Sequence, residues 1–94
     1  MKIITTQQIQ ELSKDHSILM SAIEEGFKLY SEGKVTTPPV GHMHFQEPCG
    51  DLHIKYGHIP GEDYFVVKIA SHFSENIRQG LASIDGVIML FSQK

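Results

Sequence analysis

The sequence predicts an α+β fold in which amino-terminal helices pack on an antiparallel, meander-like β-sheet. In the first third of the chain, apolar residues recur at three- and four-residue intervals, as on one face of an amphipathic helix. The remainder contains short apolar segments separated by turns rich in proline and glycine, which is typical of strands joined by tight connections. Helices gathered first and strands gathered behind favour α+β over the alternating units of a doubly wound sheet.

Two helices are predicted in this first third. Thr5 or Thr6 offers a hydroxyl N-cap for a short helix that reaches about Ser13. The apolar periodicity is clearest from Ser17 to Ser31, where a longer helix is predicted, and Gly33 supplies its stop signal.

The sheet is predicted to begin after the paired prolines Pro38 and Pro39, which lack backbone donors and favour extended conformation. Short connections between the later segments favour an antiparallel meander. A short strand is also predicted at the amino terminus, from Met1 to Ile4. The main predicted strands are Val40 to Gln46, Leu52 to His58, Tyr64 to Ser71 and Ser83 to Ser92.

Length and composition limit the classes of protein to which the chain belongs. Ninety-four residues allow one domain, and 40% hydrophobic residues suffice for a core, but a domain this small gains stability when a partner covers apolar area. We therefore expect a homodimer or a larger self-assembly. A net charge of -3 offers no attraction for nucleic acid or for an anionic membrane, so neither is expected as a partner.

Targeting and redox signals are equally sparse. The start of the sequence turns polar after four residues, and no segment approaches the length of a membrane span, so a cytoplasmic location is expected. Cys49 is the single cysteine, which excludes an internal disulfide.

Lys68 is the most unusual residue in the strand-rich part. Val66 and Val67 precede it, and Ile69 and Ala70 follow it, so the strand reads as buried on both faces. A buried ammonium group needs an anionic partner. A structural carboxylate, or a side chain that reaches the surface, would satisfy this need as well as the carboxylate of a ligand would.

The predicted strand that precedes the strand of Lys68 carries two further polar side chains, His53 and Lys55. Residues two apart on a strand share a face, so His53 and Lys55 project together, away from Leu52, Ile54 and Tyr56.

Four segments, in order along the chain, resemble the ornithine cyclodeaminase and mu-crystallin family. The resemblance runs from about residue 18 to residue 94, which is about the first third of a typical family member. The matching segments are Thr37 to Met43, Gly50 to Gly57, Val67 to Ser71 and Gly80 to Gly86.

The resemblance implies a two-part subunit. A substrate-binding and dimerisation domain accompanies a dinucleotide-binding Rossmann domain, and the enzyme uses NAD or NADP on an amino acid or a cyclic imino acid. The sequence has no GxGxxG turn, so we expect residues 1 to 94 to be a single partial domain that binds no nicotinamide cofactor tightly. The resemblance places the catalytic carboxylate outside these residues, so we assign no catalytic residue and expect no activity from the chain alone.

Site residues follow from the resemblance position by position. Lys68 matches the family lysine that contacts the substrate carboxylate, and Ser83 matches a small hydroxyl residue that approaches the cofactor. The family often has an arginine after the paired prolines, where this sequence has Val40. Lys55, beside His53, is a candidate for the missing second positive charge, although an ordinary exposed lysine explains it equally well.

Two other classes remain open. His42 and His44 share a strand face, with His53 nearby in sequence, which suggests a histidine-based metal module; the usual further ligands are absent, so no metal ligand is assigned. The apolar segment from Val87 to Phe91 suggests instead a non-enzymatic domain that self-associates through exposed strands.

Overall fold

The computed structural model describes all residues from Met1 to Lys94 and contains two compact units, Met1–Lys34 and Val35–Lys94. The first unit holds helices α1 (Thr6–Leu12) and α2 (His16–Ser31). The second holds β1 (Gly41–Phe45), β2 (Gly50–Gly57), β3 (Tyr64–His72) and β4 (Ile84–Ser92), with a 3-10 helix at Ser74–Gln79. The α+β class is confirmed, and the packing of the helices on the sheet stays a prediction.

Both helices begin at side-chain caps. Thr5 accepts a hydrogen bond from the backbone N–H of Gln8, whose side chain accepts in return from the Thr5 N–H, which forms a capping box. Asp15 caps α2 by accepting from the backbone N–H and the hydroxyl of Ser17. Gly33 follows α2 at a φ of 72°, a conformation that favours glycine at a helix end.

The amino terminus differs from the prediction. Met1 to Ile4 form no strand, and the two isoleucines of the segment are exposed. Hydrophobic residues alone do not form a strand, because the backbone also needs a neighbouring strand with which to exchange hydrogen bonds.

No helix of the chain has the length and apolar content needed to cross a membrane.

The sheet is an antiparallel meander in the order β1-β2-β3-β4, as predicted. Each strand pairs with the next along the chain, so β1 and β4 are the edges. The predicted strand ends agree with the observed ones to within one or two residues, and the segment read as a connection between β3 and β4 contains the 3-10 helix.

The end of the chain is tied to the connection between β2 and β3. The amide nitrogen of Gln93 donates to the carbonyls of Ile59, at 3.0 Å, and Glu62, at 2.6 Å. Its amide oxygen lies 3.1 Å from Nδ1 of His58. The backbone N–H of Gln93 also donates to the carbonyl of Asp63, at 3.0 Å. One side chain therefore holds together backbone that is more than 30 residues away in sequence.

Neither unit has a buried core. No side chain of the chain is buried, and Phe27 on α2 and Ile88 on β4 are 72% and 67% exposed. The hydrophobic content that suffices for a core is therefore not gathered into one within the chain. A single sheet, or a pair of helices, encloses no volume by itself and needs a second layer over its apolar side.

Asp15 makes the start of α2 sensitive to pH. The hydroxyl and the backbone N–H of Ser17 donate to its carboxylate and hold the pKa of Asp15 below the ordinary 3.8. A lowered folded-state pKa contributes stability above the unfolded value, and that contribution is lost as pH falls through the folded pKa. Circular dichroism should show the helicity of the wild type falling in acid. The Asp15→Ala variant should have a lower helicity than the wild type at neutral pH and should lose less helicity in acid. An equal loss of helicity in the two proteins would contradict this role of Asp15.

Candidate functional site

Two lysines face each other at the centre of the sheet. In the antiparallel register of β2 and β3, Lys55 lies directly opposite Lys68. Directly opposed residues in such a pair have Cα atoms about 4.5–5.5 Å apart and project to the same face. On the far side of Lys68, the opposed residue on β4 is Ile88. The face that the sequence analysis assigned to Lys55 therefore also carries Lys68.

No carboxylate of the chain pairs with these two lysines. The unit formed by residues 35 to 94 has four Lys or Arg side chains. Arg78 pairs with Glu75 at 3.2 Å, and Lys94 pairs with Asp63 at 2.9 Å. Lys55 and Lys68 form no ion pair, so two adjacent positive charges stand without a counter-charge from the protein.

The environment of Lys68 corrects one expectation. The strand was expected to be buried on both faces, but Lys68 and Val66 are exposed, while Val67 and Ile69 on the other face are half-buried. Of the alternatives considered for Lys68, a structural carboxylate is absent, since no ion pair of the chain includes this lysine. The hydrophobic segment identified a strand correctly, but sequence alone does not reveal whether a second layer covers it.

A groove of about 430 Å³ opens over this face. Both of its charged side chains are the opposed lysines, and the remaining lining is mostly apolar or aromatic. At one end of the groove, next to its lining residues Gly57 and His58, Thr36 and His58 exchange two backbone hydrogen bonds, at 2.9 and 3.0 Å. Glycine is required at position 57 there, because a Cβ would lie 2.8 Å from the Thr36 carbonyl oxygen.

The row of residues beside the lysines leaves open space. His53 lies opposite Ala70, which in turn lies opposite Gly86. Two of these three residues, Ala70 and Gly86, have little or no side chain, so side chains project only a short distance from the sheet between His53 and β4. His53 is half-buried and shares the face of Lys55, as the sequence predicted, and the strand register adds Lys68 to that face. A small molecule with one anionic group fits these dimensions and this charge.

Ser83 lies away from the lysine pair. It precedes β4, and its carbonyl accepts from the backbone N–H of Phe73 at 2.8 Å. It stands five positions before Ile88, the neighbour of Lys68, which is roughly 16 Å along an extended strand. The structure therefore brings together three of the four sequence-predicted residues, namely Lys55, Lys68 and His53, and leaves Ser83 at the other end of the sheet.

A second polar cluster lies on the same face, toward β1. His42 pairs in register with His53, and their rings stack with centroids 4.6 Å apart. The carboxylate of Asp51 lies near both rings: one oxygen is 3.9 Å from Nε2 of His42, and the other is 4.0 Å from Nδ1 of His53. The sequence analysis considered the histidines but missed Asp51. Its position two residues before His53 was the available signal, since such residues share a face.

Comparisons with known proteins agree on one family. The model of the ornithine cyclodeaminase/mu-crystallin family matches residues 1–94. A Rhizobium meliloti protein named as a dehydrogenase is 29% identical over the whole chain, and an uncharacterised cyclodeaminase of Sinorhizobium fredii is 27% identical. The alanine dehydrogenase of Archaeoglobus fulgidus is 32% identical over 96% of the chain.

A solved structure is also similar. An archaeal alanine dehydrogenase dimer with bound NAD superposes on 79% of the chain, with a TM-score of 0.69 and 31% sequence identity. The chain covers 29% of the length of the two bacterial relatives, 26% of the Archaeoglobus protein and 22% of the solved chain. The similarity thus concerns between a fifth and a third of each of these proteins.

The opposed lysines should destabilise the chain in the absence of an anion. Like charges directly opposite each other in a sheet cost about 0.2–1 kcal/mol. Replacing either residue, as Lys55→Met or Lys68→Met, should therefore raise the free energy of unfolding, and more so at low salt. Urea unfolding of both single variants and of the double variant would measure this. The double variant should gain less than the sum of the single gains, and strict additivity would show that the two charges do not interact.

Proposed function

Because the chain belongs to the ornithine cyclodeaminase/mu-crystallin family, we propose that it is the amino-terminal, substrate-binding and dimerisation portion of an NAD- or NADP-dependent enzyme. Its substrate would be an amino acid or a cyclic imino acid. The observation that carries this proposal is the pair of opposed lysines, which stand in a groove without a protein counter-charge.

A substrate carboxylate would relieve the repulsion between Lys55 and Lys68. A unit charge about 4 Å from an ammonium group gains on the order of 4 kcal/mol at the effective dielectric of a protein surface, and about a quarter of that in water. The carboxylate can accept a hydrogen bond from each ammonium group through its two oxygens. Lys55 thereby supplies the second positive charge, at a position other than Val40, where the family often has an arginine.

Because Lys55 and Lys68 are exposed, the affinity of the chain alone for a substrate carboxylate is limited. Exposed ion pairs contribute little, since water and salt screen them. Tight substrate binding therefore requires that a further layer of protein cover the face that carries Lys55 and Lys68. His53, next to the lysines, would then contact the polar part of the substrate beyond its carboxylate.

The chain has no features of a nucleotide-binding site. A dinucleotide phosphate needs a glycine-rich turn at the start of a helix. The two helices instead begin at Thr5 and at Asp15, and the carboxylate of Asp15 would repel a phosphate. The cofactor, which exchanges hydride with the substrate in this proposal, would be held by another part of a longer protein. Ser83 would face it, and the 94 residues alone would be inactive.

Self-association is part of the same proposal. The edge strand β4 leaves Val87 50% exposed on one face and Leu90 63% exposed on the other, and a free strand edge presents unpaired backbone groups. A second copy of the chain would cover this edge and the apolar side chains beside it. We place the protein in the cytoplasm, with neither nucleic acid nor membrane as a partner.

The carboxylate site is tested by titrating the chain with L-alanine or L-proline and monitoring the NMR signals of the lysine side chains. We expect saturable binding with a dissociation constant on the order of millimolar, because the site is open to solvent. Lys68→Met should weaken it by roughly tenfold, the loss of one charge-assisted hydrogen bond.

Two controls accompany the titration. The variant Lys28→Met removes an exposed lysine of α2 and should bind as the wild type does. L-alanine amide lacks the anionic group and should not bind. The proposal fails if Lys68→Met leaves the affinity unchanged, or if the amide binds as well as the acid.

Sedimentation at micromolar concentration tests self-association. The wild type should sediment as a dimer or a larger species, and Val87→Lys should shift it toward monomer by placing a charge on the apolar surface of β4. The matched control is Val40→Lys, since Val40 is also 50% exposed but lies outside β4. A monomeric wild type with intact β-structure would contradict the prediction.

A non-enzymatic, self-associating domain is the second candidate, favoured by the exposed apolar residues of β4. It predicts the same sedimentation behaviour but no binding of either amino acid. The two experiments together therefore separate the candidates.

A further inference from the structure

We propose that His42, Asp51 and His53 form a binding site for a late first-row divalent transition-metal ion such as Zn²⁺. The three side chains each offer one ligand atom, and these atoms all lie within 4.8 Å of one another. This site is separate from the proposed carboxylate site, although His53 borders both.

The backbone of the sheet brings the ligands together. His42 and His53 come from adjacent strands and are paired in register, so the β1–β2 ladder sets the separation of their Cα atoms. Asp51 precedes His53 by two residues and therefore projects from the same face. A metal ion would need no change in backbone conformation, because only the side-chain torsions must adjust.

The distances are close to those of a metal site. Ligand atoms bound tetrahedrally to zinc at about 2.0–2.2 Å lie roughly 3.3 Å from one another. The shortest oxygen–nitrogen distances, 3.9 Å to His42 and 4.0 Å to His53, involve different carboxylate oxygens of Asp51, so the carboxylate must turn to bring one oxygen close to both nitrogens. The stacked rings of His42 and His53 would turn their nitrogens inward to achieve this.

The ligand set selects the kind of metal. Two imidazoles and one carboxylate suit zinc and its neighbours among the transition metals, whereas Ca²⁺ and Mg²⁺ prefer oxygen ligands alone. Three protein ligands leave at least one coordination position open, as in sites that bind a water molecule or a small anion.

Neighbouring side chains on this face offer a further metal ligand, and one of them opposes cation binding. His44 and His72 lie opposite Asp51 on its two neighbouring strands, so both share its face, and either could add a fourth nitrogen. Lys55 is the next residue on this face beyond His53 and would repel a cation. Asp51 lies on the other side of His53 from Lys55, which places the negative charge of the site away from the lysines.

Calorimetric titration of the 94-residue chain with Zn²⁺ near neutral pH tests the site, with the absorption spectrum of bound Co²⁺ as a second measurement. We expect saturable binding of one ion per chain. His42→Ala and Asp51→Asn should each weaken binding by roughly tenfold or more, because each removes a ligand. Asp51→Asn nearly preserves the shape of the side chain, and circular dichroism would confirm that both variants keep their β-structure.

Two controls make the result specific. The variant His16→Ala removes one exposed imidazole from the amino-terminal unit and should bind zinc as the wild type does. Lys68→Met should weaken binding of the amino acid and leave binding of zinc unchanged, so failure of either proposal is recognised independently. The metal proposal is overturned if neither Zn²⁺ nor Co²⁺ binds saturably, or if the His42 and Asp51 variants bind zinc as tightly as the wild type.

Discussion

The antiparallel register between β2 and β3 is the constraint on which the polar face of this chain depends. It places Lys55 opposite Lys68 and His53 opposite Ala70. Because side chains alternate between the two faces of a strand, a slip of one residue would move Lys68 to the other face and leave Lys55 alone. The neighbouring register, between β3 and β4, is separate, and there Phe65 lies opposite Phe91 with ring centroids 5.1 Å apart.

Charge and exposure together describe a surface suited to being covered. The sheet displays uncompensated cations in a groove, and both units leave large apolar side chains in solvent. The relatives of the chain are more than three times as long. Enclosure would lower the local dielectric and strengthen every charged interaction on that face.

The sequence was informative where local physics decides the structure. Helix α2 follows from apolar spacing and from Gly33, and β3 from its continuous apolar residues, so both were predicted to within one residue. The prediction for Met1 to Ile4 was wrong, because strand formation depends on a partner that local sequence does not reveal.

The site was predictable in part for the same reason. Alternation along one strand placed His53 and Lys55 on one face, but only the pairing of strands shows that Lys68 shares it. Asp51 was missed because its approach to His42 requires the β1–β2 register, which joins residues nine apart in sequence. The expected enclosure of Lys68 failed because burial is a property of the whole assembly rather than of a segment.

The contacts of Gln93 determine how polypeptide leaves the sheet. Its side chain is held at the connection between β2 and β3, beside His58, which lines the groove. Any polypeptide appended after Lys94, whether a fusion partner or a following domain, therefore starts at that end of the groove. A short linker would hold such a domain close to this end of the groove, whereas a long flexible linker would allow it to occupy positions far from the groove.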